Sequence, residues 1–103
     1  MLSSSAVYSA LLHIPVGKVA TYGDIAKAIG RPKASRAVGR ILNRNPNPVR
    51  VPCHRVIMSD GTIGGYALGK SKKRELLERE GIFFDGESVI EFKKRRADLS
   101  RLI

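Results

Sequence analysis

One stretch constrains the fold more than any other. Residues 33–44 are fenced by Gly30-Arg31-Pro32 on one side and Asn45-Pro46-Asn47-Pro48 on the other. Two prolines and two turn-forming asparagines cannot continue a helix, so the fenced segment reads as a helix with firm ends. At about 100° per residue, Lys33, Arg36, Arg40 and Arg44 fall within an arc of roughly 80°. Ala34, Ala37, Val38, Ile41 and Leu42 occupy the next half of the wheel. One face packs and the other is wholly cationic. No acid lies between Lys33 and Arg50, whereas a face that is merely solvated normally mixes signs.

The flanking segments place this helix in a frame. Ser3 or Ser4 caps a first helix over 5–13, with Val7, Tyr8, Leu11 and Leu12 as its buried stripe. Pro15 and Gly17 break it, and 17–20 reads as a short extended link. Thr21 with Asp24 three residues on is a capping box with Asp in place of Glu. It opens a second helix whose apolar positions are Ile25, Ala26 and Ile29. Gly30 ends that helix in a left-handed conformation. A short helix, a tight turn and a helix with a basic outer face make a helix-turn-helix pattern. Downstream, 49–51 reads as a short alternating strand or extended segment. Residues 56–58 and 63–66 flank Ser59-Asp60-Gly61-Thr62 as a hairpin, with Gly61 at positive φ. A further helix runs over 70–80 and stops at Gly81. Residues 82–84 and 89–92 flank Asp85-Gly86-Glu87 as another hairpin. A basic run follows, and 93–103 reads as a short helix or a loose basic tail. The expected fold is mainly α with small β hairpins, in a single domain over 1–103.

Composition narrows the function classes. With 103 residues and 43% hydrophobic content, one modest core is expected. No apolar run is long enough to span a membrane. Met1-Leu2-Ser3-Ser4-Ser5 lacks a basic region followed by a hydrophobic block, so no secretory signal is expected. A single cysteine excludes an internal disulfide framework. One cysteine and two histidines argue against a structural zinc site, which takes four ligands. Nineteen Lys+Arg against nine Asp+Glu give a net charge of +10 and a pI near 10.4. A small domain this basic meets a polyanion. Nucleic acid is the first candidate, an anionic membrane surface the second, and a solubility charge the plain alternative.

The chemistry-bearing candidates are few. Cys53 sits between a proline and a histidine. A free thiol titrates near 8.5, so a reactive cysteine needs a base, a cation or a helix N-terminus. His54 and Arg55 are adjacent in sequence, although neighbours on an extended segment point opposite ways. Cys53 is therefore either a structural core residue or a nucleophile. Glu80 bears on the choice. It follows Leu76 by four and Leu77 by three, so it shares their buried face. An inward carboxylate at a helix C-terminus is disfavoured by desolvation and by the dipole. It needs a histidine or arginine, unless it swings out to solvent. With His54 as partner, carboxylate, imidazole and thiol form a relay.

Pro52-Cys53-His54-Arg55-Val56, preceded by Asn45-Pro46-x-Pro48, resembles the active-site signature of the O6-alkylguanine-DNA alkyltransferases. Lys33-Ala34-Ser35-Arg36-Ala37-Val38-Gly39 looks like their recognition helix. Thr21-Tyr22 and Glu80-Gly81 match too, so the similarity covers residues 7–81. It implies a winged helix-turn-helix domain that enters the minor groove of duplex DNA carrying O6-alkylguanine. Arg36 matches the arginine that takes the place of the flipped base. Tyr22 matches the tyrosine that crowds the 3′ phosphate, and Asn45 the asparagine that braces the turn. Lys33, Ala34, Ser35 and Arg40 fall on the DNA-facing stretch, where small Ala34, Ala37 and Gly39 permit close approach. Cys53 is implied as alkyl acceptor, His54 as a base acting through water, and Glu80 as the carboxylate that orients it. Carbonyls of Cys53 and Val56 would accept from the guanine amine. Pro48, Tyr66 and Ala67 would line the pocket. The implied protein is consumed in one turnover, uses no cofactor or metal, and acts as a monomer in the cytoplasm, or in a eukaryotic nucleus.

Two departures stand out. Most family members carry an extra N-terminal α/β domain that this sequence lacks, so only the C-terminal domain is expected. Ala67-Leu68 replaces a common Ser-Gly pair, and Leu68 is expected to narrow the pocket. The alkyltransferase-like proteins share the short length and bind alkylated DNA without repairing it, but typically carry tryptophan in place of the cysteine. A helix-turn-helix transcription factor gives no reason for Cys53. A cysteine hydrolase needs an oxyanion hole that the sequence does not show.

Overall fold

The computed structural model describes residues 3–47 and 49–100. Five helices and four two-residue strands build it. Helix α1 spans Ser4–Leu11 and is capped by the Ser3 hydroxyl, which accepts from the Ala6 amide. Val7, Ala10 and Leu11 face inward. Leu12, expected in the stripe, is 63% exposed, because the helix ends at Leu11 and the chain turns before another inward position comes round.

Strand β1 (Ala20–Thr21) leads directly into α2 (Tyr22–Ala28). The capping box is formed: the Thr21 hydroxyl accepts from the Asp24 amide, and the Asp24 carboxylate accepts from the Thr21 amide, both at 3.0 Å. Gly30 is left-handed, with φ 76°. Helix α3 is Ser35–Leu42, shorter than the expected 33–44. Pro32 holds the preceding turn, so Lys33 and Ala34 lie ahead of the helix and Arg44 lies in the turn behind it. Val38 and Leu42 are buried, whereas Lys33, Arg36, Arg40 and Arg44 are exposed. The cationic face is thus solvent-facing, as the wheel requires.

Residues 49–51 are not a strand. Val49 is left-handed (φ 76°), and the Val51 amide donates to the Asn47 carbonyl at 2.9 Å, closing a turn. Next, β2 (Val56–Ile57) pairs in parallel with β1, Ala20 opposite Val56 and Thr21 opposite Ile57. The turn at 58–62 closes as expected, with Met58 donating to the Thr62 carbonyl at 2.9 Å and Gly61 at φ 87°. Its flanks do not form a hairpin. Ile63 donates instead to the Glu87 carbonyl at 2.9 Å. Helix α4 is Lys70–Arg79, stopped by Gly81 at φ 88°. Strands β3 (Phe84–Asp85) and β4 (Ser88–Val89) form the one antiparallel hairpin among the described residues.

Helix α5 is Phe92–Arg95. Residues 93–100 are no loose tail. Val19 donates to the Arg95 carbonyl at 2.8 Å, Ala97 donates to the Val19 carbonyl at 2.7 Å, and Leu99 is buried.

Two apolar clusters result. The larger joins α1, α2 and α3 through Val7, Leu11, Ile25, Val38 and Leu42, and it includes Cys53 and Val56. The smaller joins Val19, Ile57, Leu77, Ile82 and Val89 beneath α4 and the hairpin. Each buried aliphatic contributes about 1.5–3 kcal/mol of transfer free energy. The strand pair β1–β2 runs between the clusters, with Ala20 and Val56 in one and Ile57 in the other. No described helix is long and apolar enough to cross a membrane.

Candidate active site

Asn45 organises the segment that carries the thiol. Its Oδ1 accepts from the Asn47 amide at 2.9 Å, a local turn of the kind asparagine favours. Its Nδ2 donates to the Val51 carbonyl at 2.9 Å and to Cys53 Sγ at 3.3 Å. Cys53 opens a single 3-10 turn, Cys53–Arg55, behind Pro52. Only 4% of Cys53 is exposed.

The same turn carries His54, fully buried, and Arg55. Glu80, at the C-cap of α4, reaches both. Its Oε2 lies 3.0 Å from His54 Nε2, while Arg55 Nε and Nη2 donate to Oε1 and Oε2, each at 2.8 Å. Arg55 Nη1 donates to the Ile14 carbonyl at 2.8 Å, tying the site to the end of α1. Arg55 is therefore committed to the carboxylate rather than to the sulfur.

The electrostatics fix the proton positions. Burial alone would raise the Glu80 carboxyl, but hydrogen bonds from Arg55 and His54 outweigh it and hold the group below the usual carboxylate range. Burial lowers His54, Glu80 opposes this, and the positive charges of Arg55 and Lys73 add to the lowering. The net direction is down, so the imidazole is neutral at pH 7. A neutral imidazole beside a carboxylate places its one proton on Nε2. That leaves a lone pair on Nδ1, which is buried and has no hydrogen-bond partner among the described residues. A buried, unpaired imidazole nitrogen is an available base.

Two tyrosines flank the thiol. Tyr22, at the start of α2, is raised first by burial and then by the Cys53 sulfur. Tyr66 is pushed up to about 12, again by burial first and Cys53 second. Its ring meets that of His54 edge-on, with centroids 6.5 Å apart. Both phenols stay protonated, so they are proton donors in the neutral range.

Lys73 is a residue that the motifs did not single out. It is fully buried, and its ammonium donates to the carbonyls of Val56 at 2.7 Å and Gly65 at 3.0 Å. Burial pushes it down to about 8, and the Cys53 sulfur partly opposes this. The signal was present in the sequence. Lys73 precedes Leu76 by three and Leu77 by four, so it lies on the same inward stripe that exposed Glu80 to notice. Lys73 also occupies the Val56 carbonyl, and the Cys53 carbonyl accepts from the Val56 amide. Each carbonyl keeps a second lone pair.

The remaining expected residues fall on two surfaces. Tyr22, Ser35 and Arg36 line a cleft of about 310 Å³ with Gly39, Met58 and Ser59. Gly39 faces the Tyr22 ring, where an added Cβ would lie 3.8 Å from Cε1, an ordinary contact distance. Lys33 and Arg40 are exposed to solvent. Val56 is buried in β2, and Ala67 and Leu68 are exposed in the turn before α4. Pro48 lies outside the described residues.

A mainly helical domain of this build, with one thiol held by an asparagine beside an imidazole–carboxylate pair, is of the alkyltransferase type. Residues 3–82 match the family model described as 6-O-methylguanine DNA methyltransferase, DNA binding domain. The chain belongs to that family. It is 57% identical over 75 residues to the methylated-DNA–protein-cysteine methyltransferase of Methanosarcina acetivorans, covering 73% of this chain and 48% of that one. The Mycobacterium tuberculosis OGT crystallised with DNA superposes with a TM-score of 0.74 at 49% identity, covering 76% of this chain and 48% of that one. S. pombe Atl1, crystallised with damaged DNA containing O6-carboxymethylguanine, gives 0.81 at 31% identity, covering 95% and 99%. The chain spans about half the length of the methyltransferase relative and of the OGT.

Proposed function

We propose that this chain repairs DNA by moving an alkyl group from guanine O6 to Cys53. The carrying observation is the thiol itself, held by Asn45 with the unpaired Nδ1 of His54 in the same 3-10 turn. His54 takes the thiol proton through a water, while Glu80 holds the imidazole with its proton on Nε2. The sulfur forms a bond to the alkyl carbon as the carbon–O6 bond breaks. The electron pair passes to the guanine ring, and a phenol proton from Tyr22 or a neighbour neutralises it. The balance needs no cofactor. The thioether has no second thiol to resolve it, so each molecule acts once.

The base must leave the stack to reach a thiol this buried, at a cost of a few kcal/mol. Arg36 fills the gap it leaves, Tyr22 crowds the 3′ phosphate, and Lys33, Ala34, Ser35 and Arg40 meet the backbone. Val56, Tyr66, Ala67 and Pro48 receive the base. In this reading the domain is a winged helix-turn-helix that enters the minor groove. It corresponds to the C-terminal domain of longer members, and works as a monomer in the cytoplasm or nucleus.

Incubation with duplex DNA carrying O6-methylguanine, followed by digestion, tests the proposal. The peptide holding Cys53 gains one methyl group. One observation favours a second reading, a lesion sensor that does not repair: the match to Atl1 extends over nearly all of both chains. Tight binding with an unmodified Cys53 peptide would select it.

A further inference from the structure

The cations of α5 have no part in the reading above. Lys93, Lys94 and Arg95 lie on this helix, and Arg96 follows. The helix is firmly placed. Phe92 packs against Gly61 so closely that a Cβ there would sit 3.0 Å from the ring. At the other end, Arg96 forks onto Asp24 at 2.9 and 2.7 Å. Both anchors adjoin the cleft that Arg36 lines. Gly61 belongs to the turn whose Met58 and Ser59 form one wall, and Asp24 follows Gly23, which forms another. Thus α5 is anchored to the two segments, the start of α2 and the turn at 58–61, that wall the cleft.

These cations are not consumed internally. Lys93 is exposed and has no ion pair among the described residues. Lys94 meets Glu91 only at 3.6 Å, with both side chains more than half exposed, a pairing of little worth. Lys27 of α2 shares a second cleft, of about 360 Å³, with Lys93. The acids nearby are Asp24 and Asp98, which line that same cleft, together with Glu91 and Asp60; Asp24 is taken up by Arg96. The Asp60 carboxylate is already occupied by the Thr62 amide and hydroxyl.

We infer that α5 is a second phosphate-contacting element, so that a duplex seated on α3 is also held through Lys93 and Lys94 across the turn at 58–61. The inference rests on the proposed function. The occupant is the sugar–phosphate backbone, whose dense charge matches a run of consecutive cations. Such contacts fix position and carry no sequence information. They lengthen the footprint without altering which lesion is accepted.

The test is the double variant Lys93→Gln/Lys94→Gln, measured for lesion-duplex affinity across salt. The duplex spans about three helical turns. The variant's log–log salt slope is shallower by about 2, because each lost phosphate contact removes about 0.9. Methyl transfer from free O6-methylguanine base to Cys53 is unchanged. An unchanged slope overturns the inference alone. Failure of the parent to accept methyl from either DNA or free base overturns the proposed function, and this inference with it.

Discussion

Replacing Glu80 with glutamine removes a single negative charge from a site that binds two partners. The carboxylate receives His54 Nε2 at 3.0 Å and two Arg55 donors at 2.8 Å. Glu80 is only 16% exposed and Arg55 13%. Breaking a buried pair by removing one partner costs about 3–5 kcal/mol. Glutamine keeps one acceptor for Arg55, so Glu80→Gln belongs at the low end, about 3 kcal/mol. For a domain this size that is a fall of roughly 12 °C or more in Tm. Chemistry suffers separately. If the amide oxygen turns to Arg55, its NH2 faces Nε2. The imidazole proton then moves to Nδ1 and the base is lost. The same exchange at the orienting carboxylate of a serine protease costs about 10⁴ in rate, and a loss of 10²–10⁴ is expected here. The pH dependence has a definite sign. The folded Glu80 sits below its ordinary value, so its stabilisation is complete above the normal carboxylate range. It fades as pH falls through the lower folded value. The gap between parent and Glu80→Gln therefore narrows in acid. Urea unfolding from neutral to acidic pH and single-turnover methyl transfer measure both effects. A variant within 0.5 kcal/mol of the parent, with an unchanged transfer rate, would refute the argument.

Other substitutions separate the parts of the site. Cys53→Ser abolishes transfer and keeps duplex affinity, read by mass spectrometry and a binding titration; loss of both counts against the sulfur as acceptor. Arg36→Ala lowers duplex affinity and repair together while transfer from free base persists, and an unchanged rate on duplex contradicts the gap-filling role. Lys73→Met acts on the alkaline limb. The folded lysine titrates near 8, against 10.5 unperturbed. Between those values the unfolded chain holds more protons, and parent stability rises with pH relative to the variant. Parallel pH-dependence in the two proteins, by chemical unfolding at pH 8 and 10, would sink the claim of a strained buried ammonium.

Local signals in the sequence carried far, and long-range ones did not. Thr21 and Asp24 announce α2 because both cap partners lie within one turn. Gly30 and Gly81 mark helix ends because each is left-handed there. Asp85-Gly86-Glu87 locates the β3–β4 hairpin for the same reason. The parallel pairing of Ala20 with Val56 was illegible, since its partners are far apart and two residues show no periodicity. The turn residues at 58–62 point instead to a local hairpin for Val56–Ile57. At the site, the stripe of Leu76 and Leu77 pointed to Glu80 and equally to Lys73. The second is masked, because lysine in a basic run looks like solvated charge. The double grip of Glu80 on His54 and Arg55 follows from a 3-10 turn that brings neighbours in sequence onto one carboxylate.

The strand pair has a consequence for how this domain tolerates change. Its two rungs set Ala20 against Val56 and Thr21 against Ile57 at roughly a strand spacing of 4.8 Å between backbones, so Tyr22 directly follows one end of the ladder and the Cys53–Arg55 turn directly precedes the other. Everything between them is an excursion whose mouth is already stitched shut. Residues inserted at the tip of that excursion, as in the turn at 30–32 between α2 and α3, leave the mouth at its fixed width. An insertion beside either rung shifts the register and parts the phenol from the sulfur, however well the helices still pack.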